Sequence, residues 1–385
     1  MNVDVAVIGA GISGLTAAYE LKRRGHSVAV LECQANPGGK AHSERFGGFL
    51  MEHGPSTVSA LCATTSALSS RLGLDGERCD LSDGVRNRYL LKDSRLQGLP
   101  LGWLGLLRSS YLSPAGRARL FAEALINRST EDGGDESVAA FSTRRFGREF
   151  ADMVIDPLVG GLFAARAEEM SVRTAFPQLV ELERRYGSIA LGLLLGRRKG
   201  RRMPGRRVYS WRGGIGCLPA ALVGSIGDSL QTGVTVNGLR PSFGGYRIET
   251  RRHGSLAARS VIVATQPHVT ASLLDGLDAE AASIAADIAT SPLAVAFFGF
   301  RREQIAHPLD GLGFLVPSSQ PCRMTGTLFG STMFPGGVRP RGMSRSPPIL
   351  VERGTPRSGT FPPPRSWIWL SLSCGASWGF VASPR

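Results

Sequence analysis

Gly9-Ala10-Gly11-Ile12-Ser13-Gly14 follows the apolar run Val3-Asp4-Val5-Ala6-Val7-Ile8 and opens a stretch with helical spacing. Glycines so placed permit a tight turn, close approach of backbone N–H groups to a pyrophosphate, and close packing of helix on strand. The helix N-terminus adds its partial positive charge where the phosphates would lie. Glu32, 18 residues beyond Gly14, ends the next strand, where a carboxylate meets ribose hydroxyls. An acid at that point suits an unphosphorylated ribose, so the expected ligand is FAD or NAD and not NADP.

No other catalytic constellation accompanies this one. There is no Ser-His-Asp set and no paired carboxylate. The six cysteines (Cys33, Cys62, Cys79, Cys217, Cys322 and Cys374) are scattered without a C-x-x-C, and the six histidines lack ligand spacing. Reduced thiols in a cytoplasmic compartment are expected, with no zinc and no iron–sulfur cluster. The chain begins directly with a strand pattern, so no secretory signal is read. His53 reads as a packed or solvent-facing histidine and not as a base.

The elements that must position the glycine turn are β-α-β: a strand at 3–8, a helix from about 13 to 24 and a strand at 27–31. Residues 60–185 are rich in helical patterns, among them 116–127 and 170–186. Short strands follow at 234–239, 246–250 and 260–264, the last of them buried. The fold class expected is α/β: a Rossmann-type dinucleotide-binding domain interrupted by a helix-rich α+β substrate domain. Its boundaries are read as 1–80 and 206–275 for the first, 81–205 and 276–336 for the second, and 337–385 for an irregular tail.

Of the net charge of +14, residues 338–385 carry +6 through seven arginines and one glutamate, leaving +8 to the first 337 residues. The densest basic run there is Arg197-Arg198-Lys199, Arg201-Arg202 and Arg206-Arg207. A solvated loop, an anionic membrane surface and an acidic substrate all fit it. Nucleic acid does not, because no binding motif or aromatic interleaving accompanies the charge. Residues 99–112 are apolar enough to lie on a bilayer and read equally well as a core helix. A cytoplasmic protein is expected, with peripheral contact on the inner face of the membrane and the choice between monomer and homodimer both left open.

Beyond Glu32 the sequence continues with Pro37-Gly38-Gly39-Lys40, Gly47-Gly48-Phe49 and Glu52-His53-Gly54-Pro55. With the N-terminal fingerprint, these resemble the FAD-containing amine oxidase superfamily, which includes phytoene desaturases. That resemblance implies FAD as the cofactor. It places Gly39 and Lys40 beside the diphosphate, Gly54, Pro55, Ser56 and Thr57 beside the isoalloxazine, and the Val236 backbone on the adenine. Lys40 stands where many members have arginine, which preserves the charge.

Two longer strings narrow the resemblance. One runs through Gly161-Leu162-Phe163-Ala164-Ala165, Glu169-Met170-Ser171-Val172 and Glu181-Leu182-Glu183 to Gly187-Ser188. The other runs from Asp310-Gly311-Leu312-Gly313-Phe314-Leu315-Val316-Pro317 through Gly326-Thr327-Leu328-Phe329 to Phe334-Pro335-Gly336. Both resemble the oxygen-dependent protoporphyrinogen/coproporphyrinogen oxidases of haem biosynthesis. Membership would imply hydride removal from a porphyrinogen to the flavin, with O2 as acceptor and no catalytic side chain of the protein's own. It would assign Arg88 to a propionate, Gly161 to close approach of the macrocycle, and Leu312 and Leu315 to a pyrrole ring. Ala165-Arg166 departs from the Gly-Asp often found after the glycine segment. Another FAD oxidoreductase on the same scaffold, or a non-catalytic flavoprotein remnant, stays open as an alternative.

From Val338 onward the composition changes. Eight prolines, eight serines and three of the five tryptophans occur with no Asp, Asn, Gln, Lys, His or Tyr. A natural linker would be polar and poor in tryptophan. The uncharged residues 366–384 could span a bilayer by length, but their Ser/Gly content and missing anchors argue against it. Residues coded with adenine in the middle position are almost absent, as in a GC-rich gene read out of frame. One DNA string encodes Gly336-Gly337-Val338-Arg339-Pro340-Arg341-Gly342-Met343 in one frame and the family's Gly-Arg-Ala-Pro-Glu-Gly-His in a neighbouring frame. The expectation is a frameshifted tail that impairs FAD retention and turnover.

Overall fold

The computed structural model describes residues 2–46, 49–100, 110–126, 134–198, 208–252, 254–291, 293–299, 302, 305–322, 324–335 and 349–354. In chain order the strands are β1 (Asn2–Ile8), β2 (Val28–Glu32), β3 (Ser43–Phe46), β4 (Phe49–Glu52), β5 (Val58–Ser59), β6 (Arg78–Asp80), β7 (Asn87–Lys92) and β8 (Arg95–Pro100). Then come β9 (Val208–Trp211), β10 (Leu230–Thr232), β11 (Val236–Ser242), β12 (Gly245–Thr250) and β13 (Ser255–Val263). The last four are β14 (Ala294–Gly299), β15 (Gly311–Leu315), β16 (Gly326–Phe329) and β17 (Ile349–Gly354).

The chain divides into two compact units. One comprises residues 1–80 and 208–290, the other residues 81–207 and 291–385. The first unit holds a six-stranded sheet in the order β10-β2-β1-β13-β12-β11. β1 runs parallel to both β2 and β13. Alternation along these strands splits the core in two, as a pleated strand requires. Val5, Val7, Val28 and Val30 pack with Leu15, Trp211 and Leu222 on one face. Ala6, Ile8, Ala29 and Leu31 pack with Val234, Ile248 and Leu273 on the other. Burial on both faces explains why β1 and β2 are nearly continuous apolar runs in sequence. The strand expected at 260–264 begins earlier, at Ser255, because residues 255–258 pair antiparallel with β12 and the pairing with β1 already starts at Ala257.

The second unit joins a helical cluster to a six-stranded sheet in the order β14-β17-β16-β15-β7-β8. The helical pattern at 170–186 is broken into Val172–Ala175 and Pro177–Tyr186, since Pro177 cannot continue a helix but opens one well. The pattern at 116–127 likewise ends early: Pro114–Phe121 is followed by a tighter turn, Ala122–Leu125. Of the tail expected to be irregular, residues 349–354 form a strand paired with β14 and β16. Its Ile349-Leu350-Val351 run between proline-rich flanks explains that. Gly47, Gly48, Gly336, Lys199 and the basic residues from 201 to 207 lie outside the described residues. Among the described residues no helix is long and apolar enough to cross a membrane.

A buried charge network ties the helices together. Glu123 accepts from Arg145, from Ser188 Oγ at 2.6 Å, and from the N–H groups of Ile189 and Ala190 at 3.0 and 3.2 Å. Its carboxylate therefore caps the helix Ile189–Arg198 as well as neutralising the arginine. Arg145 also donates to the carbonyls of Ile126 and Gly187. Beside it, Arg144 bridges Glu136 and Glu183. The Arg145 and Glu123 side chains are 0% and 1% exposed, so neither charge has water to fall back on. Arg145→Ala strands Glu123 and is expected to cost about 3–5 kcal/mol. Urea unfolding followed by circular dichroism checks it; a loss below about 1 kcal/mol would mean that the pair contributes no more than a surface bridge.

Candidate functional site

At the end of β1 the backbone crosses itself at distances only glycine allows. Gly9 has φ +102, and a Cβ there would lie 2.8 Å from the Ala264 carbonyl oxygen. A Cβ on Gly14 would lie 1.9 Å from the Gly9 oxygen, so this glycine lets helix α1 (Ile12–Arg23) sit on the strand. Gly38 donates its N–H to the Ala10 oxygen at 2.8 Å, and Gly39 has φ +59 with its Cβ position 3.1 Å from Gly11 Cα. The Gly9–Gly14 turn and the Gly38–Gly39 turn are thus packed backbone to backbone.

Gly11 is different. Its backbone is ordinary (φ −71), and a Cβ there would meet nothing within 4 Å. Neither strain nor packing calls for glycine at this point; open space in front of a helix N-terminus does. α1 has no side-chain cap and no acid in its first turn, and Lys40 is exposed with no ion pair among the described residues. Uncapped N–H donors, a clear approach and a nearby cation are the fittings of a diphosphate cradle. Ile12 is half-buried against the core and Ser13 is exposed, so the turn presents backbone and a hydroxyl. These residues fit the diphosphate of a dinucleotide.

Glu32 closes β2 and is buried. Its Oε2 accepts from the Ala10 N–H at 2.7 Å, while Oε1 accepts from the Gln34 N–H at 2.8 Å and from the Cys33 thiol at 3.4 Å. A carboxylate has about four acceptor positions, so roughly one remains for a hydroxyl. Val236 opens β11 beside this end of the sheet, and Val234 N donates to the Glu32 carbonyl. Pro55, Ser56 and Thr57 form the connection from β4 to β5; Gly54 before them presses on the Lys40 backbone, its Cβ position 2.0 Å from the Lys40 oxygen. His53 is exposed and paired with Glu44 at 2.8 Å.

Sequence reasoning passed over Glu52. Its Oε2 accepts from Ser43 Oγ at 2.6 Å and its Oε1 from Ile215 N at 2.9 Å, while Gly216 N donates to the same hydroxyl. It therefore fastens the β3–β4 hairpin to the loop before the helix Cys217–Ile226, whose Pro219 lies 3.3 Å from the Gly38 Cβ position. Ser43 is nine residues away across the hairpin, but Ile215 is 163 residues away, so no local spacing announces the tie. Burial pushes the carboxyl up to about 7.

In the second unit, β7 alternates between two clusters. Tyr89 and Leu91 pack with Phe314 and Phe329 on one face; Leu90 packs with Leu99, Tyr111 and Leu112 on the other, with Leu315 against them. Arg88 shares the parity of Leu90, so it belongs to the Leu315 face. Leu315 pairs beside Leu90 in register, and Arg88 pairs opposite Leu99. The helix Asp156–Phe163 brings Gly161 onto this face, its Cβ position 2.4 Å from Leu315 Cδ2. The structure thus joins Arg88, Gly161 and Leu315. Leu312 is half-buried in a stretch of β15 where the register with β7 shifts. Burial lowers the pKa of Arg88, and no carboxylate pairs with it among the described residues.

The family model for flavin containing amine oxidoreductases matches residues 12–348. Protoporphyrinogen oxidase of Homo sapiens is 36% identical over 360 residues, covering 87% of this chain and 74% of that one. Coproporphyrinogen III oxidase of Staphylococcus aureus is 26% identical over 355 residues, covering 87% and 75%. A crystal structure from Exiguobacterium sp. 255-15, provisionally described as a protoporphyrinogen oxidase, superposes with TM-score 0.84 at 19% identity, covering 99% and 84%. A reduced UDP-galactopyranose mutase shares the fold with TM-score 0.72 at 17% identity, covering 99% and 80%.

Two outcomes are expected of variants here. Gly11→Val leaves the thermal stability of the flavin-free chain within about 0.5 kcal/mol yet abolishes the stabilisation given by added FAD, whereas Gly14→Val loses both; calorimetry without FAD and with FAD in large excess separates them. Glu52 binds its proton more tightly folded than unfolded, so stability falls as pH rises from 4.5 to about 7 and is level above. The drop is about 3 kcal/mol at most, and Glu52→Gln removes it; a pH series of urea midpoints that is the same for both proteins would rule this out. From its glycine turns, its matched sequence and its fold, the chain is a flavin-dependent oxidoreductase with FAD as cofactor and belongs to the flavin containing amine oxidoreductase family, as a relative of the protoporphyrinogen and coproporphyrinogen oxidases.

Proposed function

We propose that this chain has the site of a porphyrinogen oxidase, removing hydride from protoporphyrinogen IX or coproporphyrinogen III with O2 as the final acceptor. The observation that carries this reading is Arg88. A guanidinium partly desolvated on an apolar sheet face, with no carboxylate paired to it among the described residues, is a receptor for a carboxylate brought by a ligand. Leu315 and Gly161 on the same face, with Leu312 on the same strand as Leu315, would supply apolar contact for a tetrapyrrole next to its propionates. The names of the similar oxidases support the same substrate class.

Bound FAD supplies the hydride acceptor, and O2 carries the electrons away as hydrogen peroxide. The protein's part is positional. Backbone N–H groups of Gly11, Ile12 and Ser13 with Lys40 would hold the diphosphate, and Glu32 a ribose hydroxyl. Gly39 and the Ala10 backbone shape that turn, while Gly54, Pro55, Ser56 and Thr57 would border the ring system and Val236 the adenine. Arg88 would fix the macrocycle by a propionate, so that one face of it is presented and water is kept off.

The composition beyond Val338 supports our reading that the tail is out of frame, with weak FAD retention and little turnover as its consequence. Resequencing and expression of both frames test function and tail together. The in-frame protein is expected to turn porphyrinogen into fluorescent porphyrin with peroxide release, and this chain to purify nearly colourless. An in-frame protein inert toward porphyrinogen but active on an amine would reject the substrate reading. A bright yellow chain with porphyrinogen-dependent peroxide release would reject the tail reading.

A further inference from the structure

Arg88 lies between two residues that both bind one carboxylate on the opposite face of the sheet. Asn87 Nδ2 donates to Asp310 Oδ2 at 3.0 Å, and the Tyr89 hydroxyl donates to Asp310 Oδ1 at 2.5 Å. The backbone repeats the tie: Arg86 N and Asn87 N donate to the Asp310 carbonyl at 2.8 and 3.3 Å. Asp310 thus takes four hydrogen bonds from the three residues around Arg88 and none from Arg88 itself.

Tyr89 is fixed from both sides as well. A Cβ on Gly98 of β8 would lie 2.9 Å from one ring edge, and a Cβ on Gly311 of β15 would lie 2.9 Å from the other. His307 meets the ring edge to face at 4.5 Å. The two glycines let the neighbouring strands close over the ring, which leaves the hydroxyl one direction to point. Burial, then the Asp310 carboxylate, push that hydroxyl up to about 12, so it remains a donor at any ordinary pH.

We propose that Asp310 is a positioning residue for Arg88: it locks the backbone on both sides of the arginine and spends its own acceptors on neutral neighbours. The guanidinium is thereby aimed from a rigid strand yet, among the described residues, left without a carboxylate partner, ready for the carboxylate of a ligand. This inference rests on the reading of Arg88 as a carboxylate receptor. A carboxylate that merely held the sheet together would show no preference among ligands. One that acts through Arg88 affects only ligands that carry a carboxylate.

The test is fluorescence titration of the full chain with protoporphyrin IX and with its dimethyl ester, which has the same ring and no carboxylate. Wild type is expected to favour the diacid. Asp310→Asn weakens diacid binding about tenfold and leaves the ester within about twofold, because a neutral amide cannot accept both bonds. Tyr89→Phe removes a single hydrogen bond and weakens the diacid about threefold; it decides the matter if Asp310→Asn does not fold. Arg88→Met abolishes the preference, and adding Asp310→Asn to it lowers affinity no further. Equal losses for diacid and ester in the Asp310 or Tyr89 variant overturn the inference and leave the Arg88 reading standing. So does a full diacid preference in those variants while Arg88→Met has none. A preference that survives Arg88→Met overturns the Arg88 reading, and the inference falls with it.

Discussion

Backbone can approach backbone closely only where no side chain intervenes, and the nucleotide-binding unit depends on this at the end of β1. Gly14 sits on Gly9, Gly9 on Ala264, and Gly39 on Gly11. The Glu32 carboxylate, fastened to the Ala10 N–H, holds the turn at the depth the crossing requires. Each of these contacts orients main-chain N–H groups toward the space in front of α1. The cradle is therefore built from peptide dipoles, which cannot swing away as side chains do, and whose charge is in place before any anion arrives.

The second unit shows the complementary rule, that a buried charge must find its opposite. Arg145 is fully buried and Arg88 partly so, and their surroundings part ways. Arg145 is held by Glu123 and two carbonyls within the helical cluster. Arg88 stands on an apolar sheet face, and the Asp310 carboxylate on the opposite face is engaged by its neighbours Asn87 and Tyr89. The first arrangement neutralises an arginine and holds a fold. The second leaves one open at the cost of some stability, which is a pattern expected where a ligand completes the site.

The dinucleotide turn was legible because its constraints are local: three glycines within six residues and an acid at the end of the next strand. β1, α1 and β2 lie within about two residues of the pattern read from apolar spacing. What could not be read is long-range satisfaction. Glu52 looks like any acid beside His53 until Ile215 and Ser43 are brought to it. Gly161 reads, through the resemblance, as a point of close approach for a macrocycle, and what the structure sets against it is Leu315, 154 residues away. The helical run at 170–186 failed for a local reason, Pro177, whose effect is to begin a new helix and not to kink an old one.

β17 asks how a segment of foreign composition can take a regular place in a sheet. Strand pairing is made by backbone groups, which every residue but proline supplies, and so it tolerates sequences that a packed core would reject. β14 and β16 each present an edge, and an exposed edge accepts whatever extended segment is near. Ile349-Leu350-Val351-Glu352-Arg353-Gly354 meets the modest demands of such a place: β-branched residues, no proline, and prolines outside it to end the run. The dinucleotide turn makes the opposite demand, since there a single methyl group at Gly14 would collide with a carbonyl. A strand in the tail is thus compatible with a reading frame that does not belong to the fold, because the sheet tests only for extended backbone.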